Sequence, residues 1–314
     1  MNAFVPDSAD SVRALGQRLS NWGRWGPDDE LGTLNLVTAD TVRDAAAAVR
    51  HGLRISCCIP VDDAGPFGAR IGSTREPPRH VMTRLAADPP PVGFDFIDDE
   101  ISMGLQAASH WDAIGHTTYD GKLYNGREAS LATKDGLMVN SIERVAGQLT
   151  GRGVLLDVAR LKGVACLPDS YAISAAELDD CARAAKVTIQ PGDFVLARTG
   201  RVGRGLAEGW SSSWRQACPG LSLACAEWLK EHDVAAVAAD NIGIETFPGE
   251  VPGCFLPLHM VAVRDMGMMF GEIWSLDPLA QACHDLRQYS FFLVAPALAV
   301  TGGAGSPVHP IAVL

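Results

Sequence analysis

Polar and apolar positions alternate in two textures along this chain. Short runs that are apolar almost throughout, "GVLLDVA", "DFVLARTG", "VAAVAAD" and "YSFFLVAPALAV", have the length and branching of buried strands. Stretches of 10 to 14 residues with helix-start chemistry lie between them. "TADTVRDAAAAVRHG" offers Thr38 as a cap and Gly52 as a stop, and "SAAELDDCARAAKV" places Ser174 three residues before Glu177 as a capping box. "NSIERVAGQLTG" repeats that spacing with Asn140 and Glu143. "DPLAQACHDLRQ" opens with Asp277 as a cap and Pro278 at the first helical position. Strands alternating with helices predict an α/β fold, a mixed or partly parallel sheet flanked by helices. The first hundred residues are richer in Pro and Gly and read as long loops. No composition break or repeat divides the chain, so residues 1–314 are expected to form a single domain.

One stretch breaks the apolar rule. Read as a strand, "SMGLQAASHWDAI" sends Gln106, Ala108, His110 and Asp112 to one face and Ala107, Ser109 and Trp111 to the other. An amide, an imidazole and a carboxylate in a row need partners if that face is buried. A divalent ion would supply them, since neutral imidazole and carboxylate are ligands that Zn²⁺ and Mn²⁺ accept. A structural pair of hydrogen-bonded side chains is the plainer alternative. Further donors must come from elsewhere, and "PLHMVAVRDMGMMFGEIWSL" sets His259 and Glu272 among apolar residues. For Glu272, an ion pair with an arginine such as Arg264, or simple exposure, stays open.

Composition narrows the classes. Hydrophobic residues make up 47% and charged ones 20%, as in a chain with a substantial core. The 26 basic against 37 acidic residues leave a net charge of −11, which argues against binding to nucleic acid. No run approaches the roughly 20 apolar residues of a membrane helix. The N-terminal "MNAFVPDSADSVRALG" has no apolar signal core, so a cytoplasmic protein is expected. The eight cysteines form no CxxC pair and read as buried thiols. Neither GxSxG nor HExxH occurs. "TGRVGRG" has its glycines in the wrong order for a dinucleotide fingerprint and reads as a loop.

The segment "QAASHWDAIGH" resembles the HxGTHxDxPxH hallmark of the cyclase-like metal-dependent hydrolases, the family of bacterial kynurenine formamidase and isatin hydrolase. It matches at His110, Asp112 and His116. Gln106 stands for the first His, Ala108 for Gly, Ser109 for Thr and Ile114 for Pro. "WGPDDELGTLNLVT", "GRGVLLDVARLKG", "GDFVLARTG", "AADNIGIET" and "GGAGSPVHPIAVL" look like the longer members of this family across nearly the whole chain. The resemblance implies a swivelling β/β/α fold and one divalent ion, Mn²⁺ or Zn²⁺. His110, Asp112, His259 and Glu272 would be its ligands, and Gln106 a weaker one through its amide oxygen. It implies hydrolysis of an amide or lactone in a small, cyclic substrate by a metal-bound hydroxide, with His116 as general acid/base. His80, Trp111 and Tyr119 would line the substrate, and the chain would form a homodimer or homotetramer. A small-molecule-binding protein without catalysis, on the same scaffold with a weakened metal site, is the competing expectation.

Overall fold

The computed structural model describes residues 6–68, 75–87, 89 and 91–314. Nine strands form one mixed sheet. From one edge its members are Arg54–Ser56, Ile311–Val313, Ser290–Val294, Thr150–Asp157, Phe194–Arg198, Ala236–Ala239, Met269–Glu272, His110–Asp112 and Gly305–Pro307. The four from Thr150–Asp157 to Met269–Glu272 run parallel, and all pairings outside them are antiparallel.

Three of the apolar runs lie in this parallel centre because both of its faces are covered, and the fourth, in Ser290–Val294, borders it antiparallel. Val154, Leu156, Val195, Ala197, Val237, Ala239 and Phe270 join one core, packed by Val12, Leu15 and Leu19 of helix Ala9–Leu19, Leu178 and Cys181 of Ala175–Ala185, and Trp228 and Leu229 of Cys225–Glu231. The intervening Leu155, Phe194, Leu196, Ala236, Ala238 and Met269 face a second core with Trp111, Trp274 and, from helix Asp277–Leu286, Leu279, Ala280 and Cys283. The expected mixed sheet flanked by helices is the architecture found. Among the described residues no helix is long and apolar enough to cross a membrane.

Local chemistry explains where elements begin and where expectation failed. Ser174 and Glu177 form the capping box of Ala175–Ala185, and Thr38 caps Ala39–Ala47. The latter helix stops well short of Gly52, because the amides of His51 and Leu53 both bond to the carbonyl of Leu314 and draw the chain into the sheet edge. The stretch "NSIERVAGQLTG" is no helix. Only Ile142–Arg144 makes a 3₁₀ turn, Asn140 has φ of +59°, and the Glu143 carboxylate accepts from Ser141 and from the Gly302 amide. Asp277 lies inside the first turn of its helix rather than capping it, and its carboxylate accepts from Arg198 Nε at 2.7 Å. The "TGRVGRG" loop is instead largely helix, Arg201–Glu208. The loops expected in the first hundred residues contain helix Ala9–Leu19 and a hairpin, Arg79–Arg84 with Asp98–Ser102.

Candidate metal centre

The predicted long strand through "SMGLQAASHWDAI" shrinks to His110–Asp112. Upstream, the Gly104 amide bonds to Glu76 O, and Arg75 Nη1 donates to Gln106 O at 2.9 Å, so those backbone groups do not join a ladder. Ser109 pins the strand's start: its Oγ donates to Ile273 O at 2.6 Å and accepts from the Ile59 amide at 3.0 Å. His110 and Asp112 still share a face. Register then adds the next donor, since Glu272 sits directly opposite His110 on the antiparallel neighbour.

His110, Asp112 and Glu272 each offer one donor atom, all within 4.8 Å of one another and all buried. His110 Nε2 is 3.5 Å from Asp112 Oδ1 and 3.4 Å from Glu272 Oε2. Donors held about 2.1 Å from a tetrahedral ion lie roughly 3.4 Å apart, so the spacing suits a divalent cation. His110 Nε2 and Asp112 Oδ1 have no hydrogen-bond partner although both are buried. An ion between them would satisfy both, which is the arrangement buried polar groups require. One imidazole and two carboxylates form a donor set suited to Zn²⁺ or Mn²⁺.

Outer contacts orient the imidazoles. His110 Nδ1 donates to Ala108 O at 2.8 Å, which leaves Nε2 facing the carboxylates. His259, in the turn Pro257–His259 that runs into a π-helical stretch Met260–Asp265, donates from Nδ1 to Glu245 Oε1 at 2.6 Å. Its Nε2 reaches Glu272 Oε1 at 3.3 Å. Glu245 also accepts the amides of Leu258 and His259, so one buried carboxylate caps the turn and fixes the ring. The sequence reading did not assign Glu245 a role. Its signal was a carboxylate inside the apolar "NIGIETF" stretch.

Electrostatics point the same way. Burial opposes protonation of His110, yet Asp112 and Glu272 raise its pKa to about 9. Burial likewise opposes protonation of His259, and Glu245 and Glu272 raise its pKa to about 10. Burial works against ionisation of Glu272, but His110 and His259 hold its pKa well below the usual carboxylate range. The cluster thus demands positive charge, from protons or from a metal.

The remaining expected residues divide. His116 lies at the edge of the cluster, its Nε2 3.7 Å from Asp112 Oδ1 and its side chain 28% exposed. Gln106 puts its amide beside the Gly305–Pro307 strand, where a Cβ on Gly305 would stand 2.6 Å from Nε2; it does not line the cavity over the cluster. Trp111 points to the other face, fully buried against Trp274 and Phe194 with Nε1 donating to Ala295 O; it packs the core and has no access to substrate. Tyr119 donates to Asp265 and stacks with Arg264, and exposed His80 pairs with Asp99 at 2.7 Å; neither lines the cavity. Arg264 pairs with Asp265, not with Glu272.

A cavity of about 290 Å³ opens over the cluster. Asp112, His116, His259 and Glu272 line one part of it, and Ile242, Phe247 and Leu256 give it apolar walls. The fold and this buried N/O donor set with a histidine at its rim define a class: α/β proteins built to hold a divalent ion beside a small-molecule pocket. The Cyclase family model matches residues 31–246, and the chain belongs to that family. A crystal structure described as a novel cyclase is 36% identical with a TM-score of 0.86, covering 95% of this chain and 99% of that one. Isatin hydrolase A from Ralstonia solanacearum matches with a TM-score of 0.62 at 18% identity, covering 85% of this chain and 93% of that one. An isatin hydrolase bound to the product analogue thioisatinate gives 0.61 at 15%, covering 88% and 99%. Comparison with curated proteins gives no match.

Proposed function

We propose that this protein is a metal-dependent hydrolase that opens an amide or lactone bond in a small, cyclic substrate. The observation that carries the reading is the convergence of buried, unpartnered His110 Nε2 and Asp112 Oδ1 with Glu272 beneath a cavity. We assign His110, Asp112 and Glu272 as ligands of one Mn²⁺ or Zn²⁺, with His259 joining through Glu272 or directly. A divalent ion there would supply a Lewis acid for the carbonyl and, by lowering the pKa of water, a nucleophile at neutral pH. The chain's own groups do the rest. His116, at the cluster's rim beside Asp112, takes a proton from the attacking water and returns it to the leaving group. Glu245 holds His259 in one tautomer, and the apolar walls exclude bulk water from the carbonyl.

The isatin hydrolases among the structural neighbours make cyclic amides the first compounds to try. Elemental analysis of the purified protein should find close to one divalent ion per chain, and a screen of lactams, imides, lactones and N-formyl anilines should find turnover. Asp112→Ala should lose the ion. His116→Ala should keep it and lose roughly 10²–10⁴ in rate. Full activity in the His116 variant would remove that residue from the mechanism. Gln106 in the place of the motif's first histidine favours one alternative, a non-catalytic binding protein, and a wild-type chain without stoichiometric metal would favour it over the enzyme. We further propose a homodimer or homotetramer in the cytoplasm, in keeping with eight cysteines that form no disulfide.

A further inference from the structure

The cavity has a second polar element that the metal chemistry does not use. Phe67, only 3% exposed, lines it with two guanidinium groups over its ring. Arg75 Cζ stands 4.9 Å from the ring centroid and Arg215 Cζ 5.9 Å. Both arginines line the same 290 Å³ as Asp112, His116 and Glu272, so one small molecule can reach both ends. Stacking on an aromatic face orients a guanidinium while leaving its charge intact. The bond from Arg75 Nη1 to Gln106 O fixes the first guanidinium further.

We propose that Arg75 and Arg215 form a carboxylate-reading end of the pocket. The preferred substrate is then an amide or lactone that carries a carboxylate of its own on a flat, apolar frame. This rests on the hydrolase reading of the same site and adds the substrate class. Three features support it. A planar fork of N–H donors matches carboxylate geometry in a way a lysine does not. The phenyl ring of Phe67 and the side chains of Ile242, Phe247 and Leu256 suit an aromatic or alicyclic body between the two polar ends. Charge supplies the third. The chain carries −11 overall, and a carboxylate entering the cavity meets two guanidinium groups that offset that field at this end.

Calorimetric titration of the metal-loaded protein with isophthalate and with benzoate tests this without requiring turnover. Benzoate has a single carboxylate, so only isophthalate can occupy the metal and the arginines at once. Wild type should prefer the diacid by about tenfold or more, the scale of a charge-assisted bond. Arg75→Gln and Arg215→Gln should each erase most of that preference while metal content stays at the wild-type level. Arg75→Lys and Arg215→Lys, which keep charge and lose the fork, should retain part of it and serve where a glutamine variant does not fold. Equal affinity for the two ligands in wild type overturns the proposal, as does a preference unchanged in the variants. Loss of the ion from the glutamine variants also overturns it, because the arginines would then be balancing the charge of the cluster. A persistent diacid preference in a protein that hydrolyses nothing would sink the hydrolase reading and leave the anion-reading end standing.

Discussion

At the scale of single residues, the site is an argument about charge. Two carboxylates and two imidazoles are buried together, and in the metal-free chain the imidazoles hold protons that a cation would replace. His110 titrates at about 9 and His259 at about 10, both raised from the ordinary 6.5. A raised folded pKa means that these protons stabilise the metal-free fold fully below pH 6.5, and that this contribution disappears as pH rises through 9 to 10. Metal binding runs the other way. An ion must displace the protons, so its affinity should climb between pH 6.5 and 9, by up to about tenfold per unit for each proton released. Titrations of metal into stripped protein at pH 6.5, 7.5 and 8.5, in buffers of different ionisation enthalpy, would read both the slope and the proton count. A flat profile would mean that the histidines are already neutral without metal. This scale was partly open to reading in advance. The i, i+2 spacing of His110 and Asp112 put them on one face, and the apolar surroundings of Glu272 marked it as a group in need of a partner. Glu245 was hidden, because its partners, the ring and amide of His259 and the amide of Leu258, lie 13 and 14 residues further on and meet it only through the turn.

At the scale of elements, the cluster depends on how closely two strands can run. Glu272 faces His110 only because Met269–Glu272 and His110–Asp112 pair in a register that sets Gly271 opposite Trp111. On the far face Trp111 meets Trp274 edge-on at 4.9 Å, and Trp274 Nε1 donates to His110 O at 3.3 Å. A Cβ on Gly271 would fall 2.8 Å from Trp111, 2.9 Å from Ala238 and 3.0 Å from Trp274, so glycine is there to admit the two indoles. Gly271→Ala should therefore destabilise the fold by about 1–3 kcal/mol as an overpacked core does, and weaken metal binding because both ligand-bearing strands must shift. Urea unfolding and a metal titration would measure the two effects, and wild-type values for both would show that the tryptophans do not set the spacing. Elements of this kind were legible where their cause is local. The strands of the parallel centre announce themselves because they are apolar on both faces, and Ser174 and Thr38 cap helices with chemistry contained in four residues. The failures share the opposite cause. "NSIERV" has the capping spacing, yet Glu143 turns to the Gly302 amide, and "SMGLQAAS" has strand alternation, yet its backbone bonds to Glu76 and Arg75.

At the scale of the whole molecule, the longest of the small two-stranded sheets lies outside the described cores. Among the described residues the hairpin Arg79–Arg84 with Asp98–Ser102 pairs only with itself, and none of its strand residues is buried. A two-stranded hairpin is marginal in water unless something covers it. Around it Met82, Leu85, Val92, Phe94, Phe96, Ile97 and Ile101 are 42–83% exposed. Exposed apolar side chains gathered along one element mark a surface that a partner can cover. The homodimer proposed above would cover this face, closed two-fold pairs being the commonest soluble assemblies. Sedimentation velocity at micromolar concentration should then give at least a dimer. The double variant Phe94→Asp, Ile101→Asp should sediment as a monomer that keeps its bound metal, because neither position lies among the donors or lines the cavity above them. A wild-type monomer across the concentration range would assign the hairpin to some other partner, and a variant that stays dimeric would move the interface elsewhere on the surface.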